Sequence, residues 1–327
     1  MKRFSVGFTL SVIAFTPLTA ACAQNTTAPL VAPSAATTAA EVTAQEARPK
    51  LTWAPPVLES PITVEVSNSQ FSLKLDSAKD YIVKMPSTPV EVGVRISGGR
   101  NVVLIGGEIR IPSLEEKPDT DAKKRDKYDF RGMYLHGQTG TIHVEGLWIT
   151  GAGLREGFNF DQRHGATVQL QNIRVDTVHG TRAGHHADVF QTWAGPAELR
   201  IDRLTGYTTY QGTFLMPLQH FKEGDAPKQW DFRNLNIVGT ENSGYMLWVN
   251  SSKDFPLNVQ NVWVSPRSRS KSNRDAFLWP KPSTGDASWN NVQVGLPPEG
   301  DFVPEGVAGL NYVSPGYLEA STPVATP

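Results

Sequence analysis

The chain has one cysteine, Cys22, in 327 residues, so no disulfide can form within it. No pair of cysteines offers a zinc-binding spacing, and no glycine-rich loop has the spacing that cradles phosphates. Neither charge sign is in excess. Thirty-one Lys and Arg against 32 Asp and Glu leave a net charge of −1, which gives no electrostatic basis for binding nucleic acid. After the first twenty residues, no apolar run is long enough to span a membrane, so the mature chain is expected to lack a transmembrane segment.

The first twenty residues hold an apolar run too short for a transmembrane helix. Met1-Lys2-Arg3 precedes an apolar run to about Leu18, and small residues follow through Ala23. This is the pattern of a bacterial export signal covering residues 1–23. Two processing routes stay open. Ala21-Cys22-Ala23 fits cleavage to a soluble product, whereas the residues leading to Cys22 fit a lipoprotein signal with Cys22 as the lipidated residue. The expected location is secreted, periplasmic or lipid-anchored at the bacterial surface. Residues 24–55 are rich in Ala, Thr and Pro and lack apolar periodicity, so they are expected to form a flexible linker. Residues 314–327, ending "EASTPVATP", are expected to be a flexible tail. A single domain is expected over 56–313.

That domain repeats itself. Stretches of alternating apolar residues interrupted by Asn or Gly recur, as in "GTIHVEGLWIT", "ATVQLQNIRV" and "QWDFRNLNIV". Their interruptions fall at Gly107, Gly146, Asn172, Arg203, Asn234, Asn261 and Asn291. The alternation predicts strands, and spacings of 26 to 39 residues predict stacked repeats. A second strand precedes each interruption. Aligned, these strands share the apolar positions Ile96, Leu135, Phe160, Phe190, Leu215, Leu247 and Leu278, which are expected to face a core in one column.

The residues flanking this column would then face outward. Those after it are Ser97, His136, Asp161, Gln191, Met216, Trp248 and Trp279; those before it include Arg95, Tyr134, Asn159 and Phe214. The strip is polar in its middle and aromatic toward its C-terminal end. Exposed aromatic rows mark binding surfaces, and sugar rings stack on such planes. Trp248, Trp279, His136, Tyr134 and Asn159 are therefore candidate substrate-binding residues. Arg274 and Lys281 join them from a basic stretch that also holds Lys253, Arg267, Arg269 and Lys271.

The segment "GHHADVFQTW" (184–193) carries the densest chemistry. Asp188 lies two positions before Phe190, in a column that is otherwise mostly apolar. It is expected either to turn outward at a bend or to be buried against a partner, with His186 the nearest candidate. His186, Asp188, Gln191 and Asp161 are the candidate catalytic residues, with Arg155 and Arg163 as further groups near the polar middle. His185 and His186 are adjacent, so strand alternation points them apart and disfavours a shared metal. No cofactor is expected. A calcium ion between Asp161 and Asp188 stays open.

Stacked single strands with recurring asparagines at their corners resemble the single-stranded right-handed parallel β-helix of the pectate-lyase-like superfamily, over about residues 60–300. A β-sandwich is the rival fold. The resemblance implies an all-β solenoid of about seven to nine coils that acts on a polysaccharide. "HADVFQ" also resembles the Asn-Thr-Asp-Gly-Phe-Asp segment of polygalacturonase-like glycosidases, which places Asp188 at the catalytic aspartate of that segment. Thr209–Met216 lacks the Asp-Asp pair expected next, and no Gly-His-Gly or Arg-Ile-Lys segment is present. Hydrolysis by paired carboxylates would have to draw on Asp161. The first functional expectation is therefore a lyase on an acidic, uronate-containing glycan. The alternatives are a non-catalytic glycan-binding protein and a glycoside hydrolase using Asp188.

Overall fold

The chain alternates between two parallel sheets, advancing one rung each time it returns. The computed structural model describes residues 48–113, 115, 130–220, 226–240, 244–249, 256–267 and 272–318. The export signal, Cys22, the linker before residue 48 and Lys253, Arg269 and Lys271 lie outside the described residues.

Strands β1 (Ile62–Glu65), β3 (Tyr81–Lys84), β5 (Val102–Ile105), β8 (Thr141–Glu145), β11 (Thr167–Val178), β13 (Glu198–Thr208), β15 (Gln229–Gly239), β17 (Leu257–Ser265) and β19 (Val292–Val294) lie side by side in that order. With β6 (Glu108–Arg110) and β9 (Trp148–Thr150) they form the long sheet. The short sheet runs β2 (Ser72–Leu75), β4 (Val94–Gly98), β7 (Arg131–His136), β10 (Glu156–Asp161), β12 (Asp188–Ala194) and β14 (Thr213–Leu215). A bridge from Leu215 to Val249 leads on to the pair β16 (Leu247–Trp248) and β18 (Leu278–Trp279). Every pairing is parallel. This is a right-handed parallel β-helix, with no α-helix among the described residues. No helix among them is long and apolar enough to cross a membrane.

The recurring Asn and Gly residues are the corners of the long sheet. Asn172, Arg203, Asn234 and Asn261 have φ of 51°, 58°, 48° and 55°, and Gly146 has 66°. This left-handed conformation reverses the alternation, so residues two before and one after the corner both face the core. Leu170 and Ile173 flank Asn172 in this way and Phe232 and Leu235 flank Asn234, all fully buried. Asn tolerates the conformation better than other non-glycine residues. Its amide also links rungs: Asn261 donates to Asn234 at 2.7 Å and Asn234 to Asp202 at 2.7 Å. At the first such corner, Ile105 pairs with Glu145, so Gly106 rather than Gly107 stands opposite Gly146. Asn291 is not left-handed.

The seven aligned core residues are all fully buried, as their parity requires. They do not form one column. Ile96, Leu135 and Phe160 stack in register, but Phe160 then meets Thr192, while Phe190 stacks on Phe158. A two-residue offset keeps every side chain facing the same way while changing its neighbours. The packed chain also extends beyond the expected domain limits. Leu51, Thr52 and Trp53 are buried, and Tyr317 forms a bridge with Leu51.

Replacing Asn234 by Val should destabilise the fold by about 2–4 kcal/mol, combining left-handed strain with two lost hydrogen bonds. Asn234→Gly should cost less, because glycine adopts this φ freely. Denaturant unfolding of both variants measures the difference; equal losses would show that backbone strain at this corner does not matter.

Candidate functional site

The outer face of the short sheet carries the site. Its register sets one column away from the core: Arg95 opposite Tyr134, Tyr134 opposite Asn159, Asn159 opposite Gln191, and Gln191 opposite Phe214. Tyr134, Asn159 and Gln191 are nevertheless buried, which corrects the expectation that Tyr134 and Asn159 contact substrate directly. Phe214 packs edge-on against Trp248 at 4.7 Å, and Trp248 pairs with Trp279. Tyr245 joins them, 5.0 Å from Trp248 and 5.9 Å from Trp279. Phe214, Trp248 and Trp279 are half-buried, so each leaves part of its ring accessible. Lys281 Nζ sits 6.0 Å from the Trp279 ring. Arg274 instead donates to the carbonyl of Trp289 at 2.7 Å.

The polar middle holds two groups of side chains. In the first, Arg163 grips Asp161 with two hydrogen bonds of 2.7 and 2.9 Å. Tyr134 donates to Asp161 at 3.4 Å, and His136 Nε2 lies 4.0 Å from the same carboxylate. Burial holds the His136 imidazole below its ordinary range. Asp161 opposes that shift, while Arg95, Arg163 and His164 reinforce it. The ring, 38% exposed, is thus neutral near pH 7 and able to accept a proton.

The second group is a column absent from the alignment of apolar positions. Arg131 stands opposite Glu156, and Glu156 opposite Asp188. Gln211 follows on the next rung, its amide donating to the carbonyl of Ala187 while Val189 donates to Gly212. Arg131 is hydrogen-bonded to Glu156, and Asn159 bridges Glu156 at 2.7 Å to Gln191 at 3.1 Å. Trp193, the extra residue where β12 shifts register, packs on Tyr134 and lies under the Arg131 guanidinium at 4.8 Å. The next residue on the Glu156 rung is Gly157. A Cβ there would come within 2.3 Å of the Val189 carbonyl, so the chain bends tightly where these polar side chains leave the core.

Asp188 is fully buried, and neither carboxylate oxygen has a hydrogen-bond partner among the described residues. Burial, then the neighbouring Glu156 carboxylate, holds its carboxyl well above the usual range. Its neutral form is favoured, one rung from a carboxylate bonded to Arg131.

Several expectations are corrected. His186 is exposed, its ring 5.5 Å from Tyr210 and its Nε2 3.4 Å from the Arg182 carbonyl, and it makes no hydrogen bond to Asp188. Gln191 lies beside Asn159, not Asp161, because β10 and β12 pair two residues away from the expected register; the extra residue at Trp193 then sets Asp161 opposite Ala194. Asp161 is bound by Arg163 in a different column from Asp188, so the two do not make a shared oxygen site for calcium. Among the described residues, no three His, Cys, Asp or Glu side chains gather as a metal-binding group.

Comparison with protein-family models, with curated proteins and with solved structures finds no match for this chain.

Asp188→Asn should melt above the parent protein at pH 7–8. A carboxyl whose folded pKa is raised contributes stability below its unfolded value of about 3.9 and loses it as pH rises through the folded pKa. The melting gap should therefore close toward pH 4. A gap independent of pH would show that Asp188 is not held neutral.

Proposed function

We propose that the outer face of the short sheet binds an acidic polysaccharide outside the cytoplasm and cleaves it by β-elimination. The observation that carries this reading is the row of part-exposed Phe214, Trp248 and Trp279 on the same side of the short sheet as the polar cluster around His136. Rungs lie about 4.8 Å apart, so Phe214, Trp248 and Trp279, packed edge to face, offer successive apolar contacts for sugar rings. Toward the other end, a neutral imidazole stands between two arginines. This pairing suits a lyase, which must offset a uronate carboxylate's charge while removing the neighbouring proton.

In that reaction His136 accepts the proton from the carbon next to the carboxylate. The C–H electron pair becomes the new C4–C5 double bond, the C4–O bond breaks, and the departing oxygen takes a proton from water. Arg95 offsets the negative charge that builds on the carboxylate, while Arg163 holds Asp161 in place beside His136. Tyr134, Asn159 and Gln191 lie beneath this position and hold its framework. The reading places the chain beside the pectate-lyase-like superfamily in architecture and chemistry. It also accords with the export signal, whose Cys22 would tether the domain if lipidated.

Incubation of the mature protein with a panel of uronate polymers tests this reading. A lyase releases both unsaturated, ultraviolet-absorbing products and new reducing ends. Reducing ends alone would mean hydrolysis, and binding without products would mean a glycan-binding protein. His136→Gln should abolish turnover while keeping affinity, and the parent rate should fall as acid protonates His136. Trp248→Ala or Trp279→Ala should weaken binding about three- to tenfold without unfolding the chain.

A further inference from the structure

Beside the Arg131–Glu156–Asp188 column, at the edge of the sheet where β10 and β12 begin, lies a separate pocket of about 370 Å³. Arg155, His179, Thr181, His185 and Thr209 line it together with Gly180 and Gly184. Three of these side chains are bases, and none is a carboxylate. Arg155 immediately precedes Glu156, and its amide is bonded to the carbonyl of Phe130 at 2.9 Å. His185 packs against the Phe130 ring at 5.9 Å. The pocket thus adjoins the catalytic face through the residue that leads into Arg131.

Its floor is pinned. Thr209 Oγ1 accepts from the Gly180 amide at 2.8 Å and donates to the Gly180 carbonyl at 2.9 Å. Arg155 Nη1 donates to the His179 carbonyl at 3.1 Å. Its Nε is buried and has no acceptor among the described residues. A buried guanidinium N–H without an acceptor is costly, and an anion in the pocket would meet the positive charge of this guanidinium through its outer nitrogens. A planar carboxylate matches the guanidinium edge, the hydroxyls and loop backbone suit sugar hydroxyls, and the volume suits one sugar ring.

We infer that this pocket binds the carboxylate of a uronate residue, placing a sugar of the same glycan beside the cleavage face. The inference rests on the proposed acidic substrate. It assigns a charge-reading role to Arg155, with His185 and Thr181 facing the same bound residue.

The test follows the imidazole resonances of His179 and His185 by nuclear magnetic resonance while the full mature protein is titrated with D-galacturonate, D-galactose or sodium sulfate. Galacturonate should shift both resonances saturably, and galactose should not. Arg155→Gln should weaken galacturonate binding at least about tenfold; His185→Ala, on an exposed loop, serves the same purpose should Arg155→Gln fail to fold. Equal responses to galactose and galacturonate, a response to sulfate alone, or unaltered affinity in the folded variants would overturn the inference. The two proposals fail separately. Galacturonate binding here with no binding or cleavage of acidic polymers would leave the pocket standing and remove the lyase. Polymer cleavage without a galacturonate response would do the reverse.

Discussion

The left-handed corner is the constraint from which the rest of the structure follows. A strand alone alternates its side chains, so only every second residue faces a given core. Reversing that alternation at Asn172, Arg203, Asn234 and Asn261 lets a single strand bury residues on both sides of a bend. Because the corners stack, their register passes unbroken from β8 through β17. The opposing short sheet must meet these rungs, and its outer columns inherit their spacing. A row of aromatic rings with a polar cluster at one end is therefore a product of backbone geometry at positions on another sheet.

The terminal segments cover the outer face of the long sheet. Thr52 bonds to Asp202 through both its amide and its hydroxyl, and Trp53 exchanges hydrogen bonds with Gln171. From the other end of the chain, Asp301 accepts from Arg174, Tyr207 and Asn236. Tyr312 and Tyr317 both donate to Glu145, which also bonds to buried His143. Burial alone would raise the Glu145 carboxyl; hydrogen bonds with His143, Ser314 and Tyr312 overcome it and hold the group below its usual range. A Cβ on Gly146 would lie 2.1 Å from the Tyr312 ring, so glycine at that corner admits the covering segment. With this face occupied, the short sheet presents the face on which a long ligand can lie.

The repeat, the corners and the direction of each core side chain were legible in the sequence, because alternation and αL residues leave strong local signals. Register was less so. Matching Phe190 to Phe160 satisfied every apolar position, yet the strands pair Phe190 with Phe158. In the sequence alignment, Asp188 looked solitary among apolar neighbours. Two residues away from the expected register, its column holds Arg131, Glu156 and Gln211, so a charged column was hidden by a slip that keeps every core residue facing inward. The shift at Trp193 has no sequence signature. Nor do the terminal covers, whose contacts join residues 65 to 172 positions apart without any period. Trp248 and Trp279 were found because parity alone places them.

The most direct measurement is a crystal structure of the protein soaked with an unsaturable uronate oligosaccharide. Sugar rings should lie over Phe214, Trp248 and Trp279, with a carboxylate reaching Arg95 beside His136. Ordered oligosaccharide on the opposite sheet, or a bare short-sheet face at saturating ligand, would contradict the account.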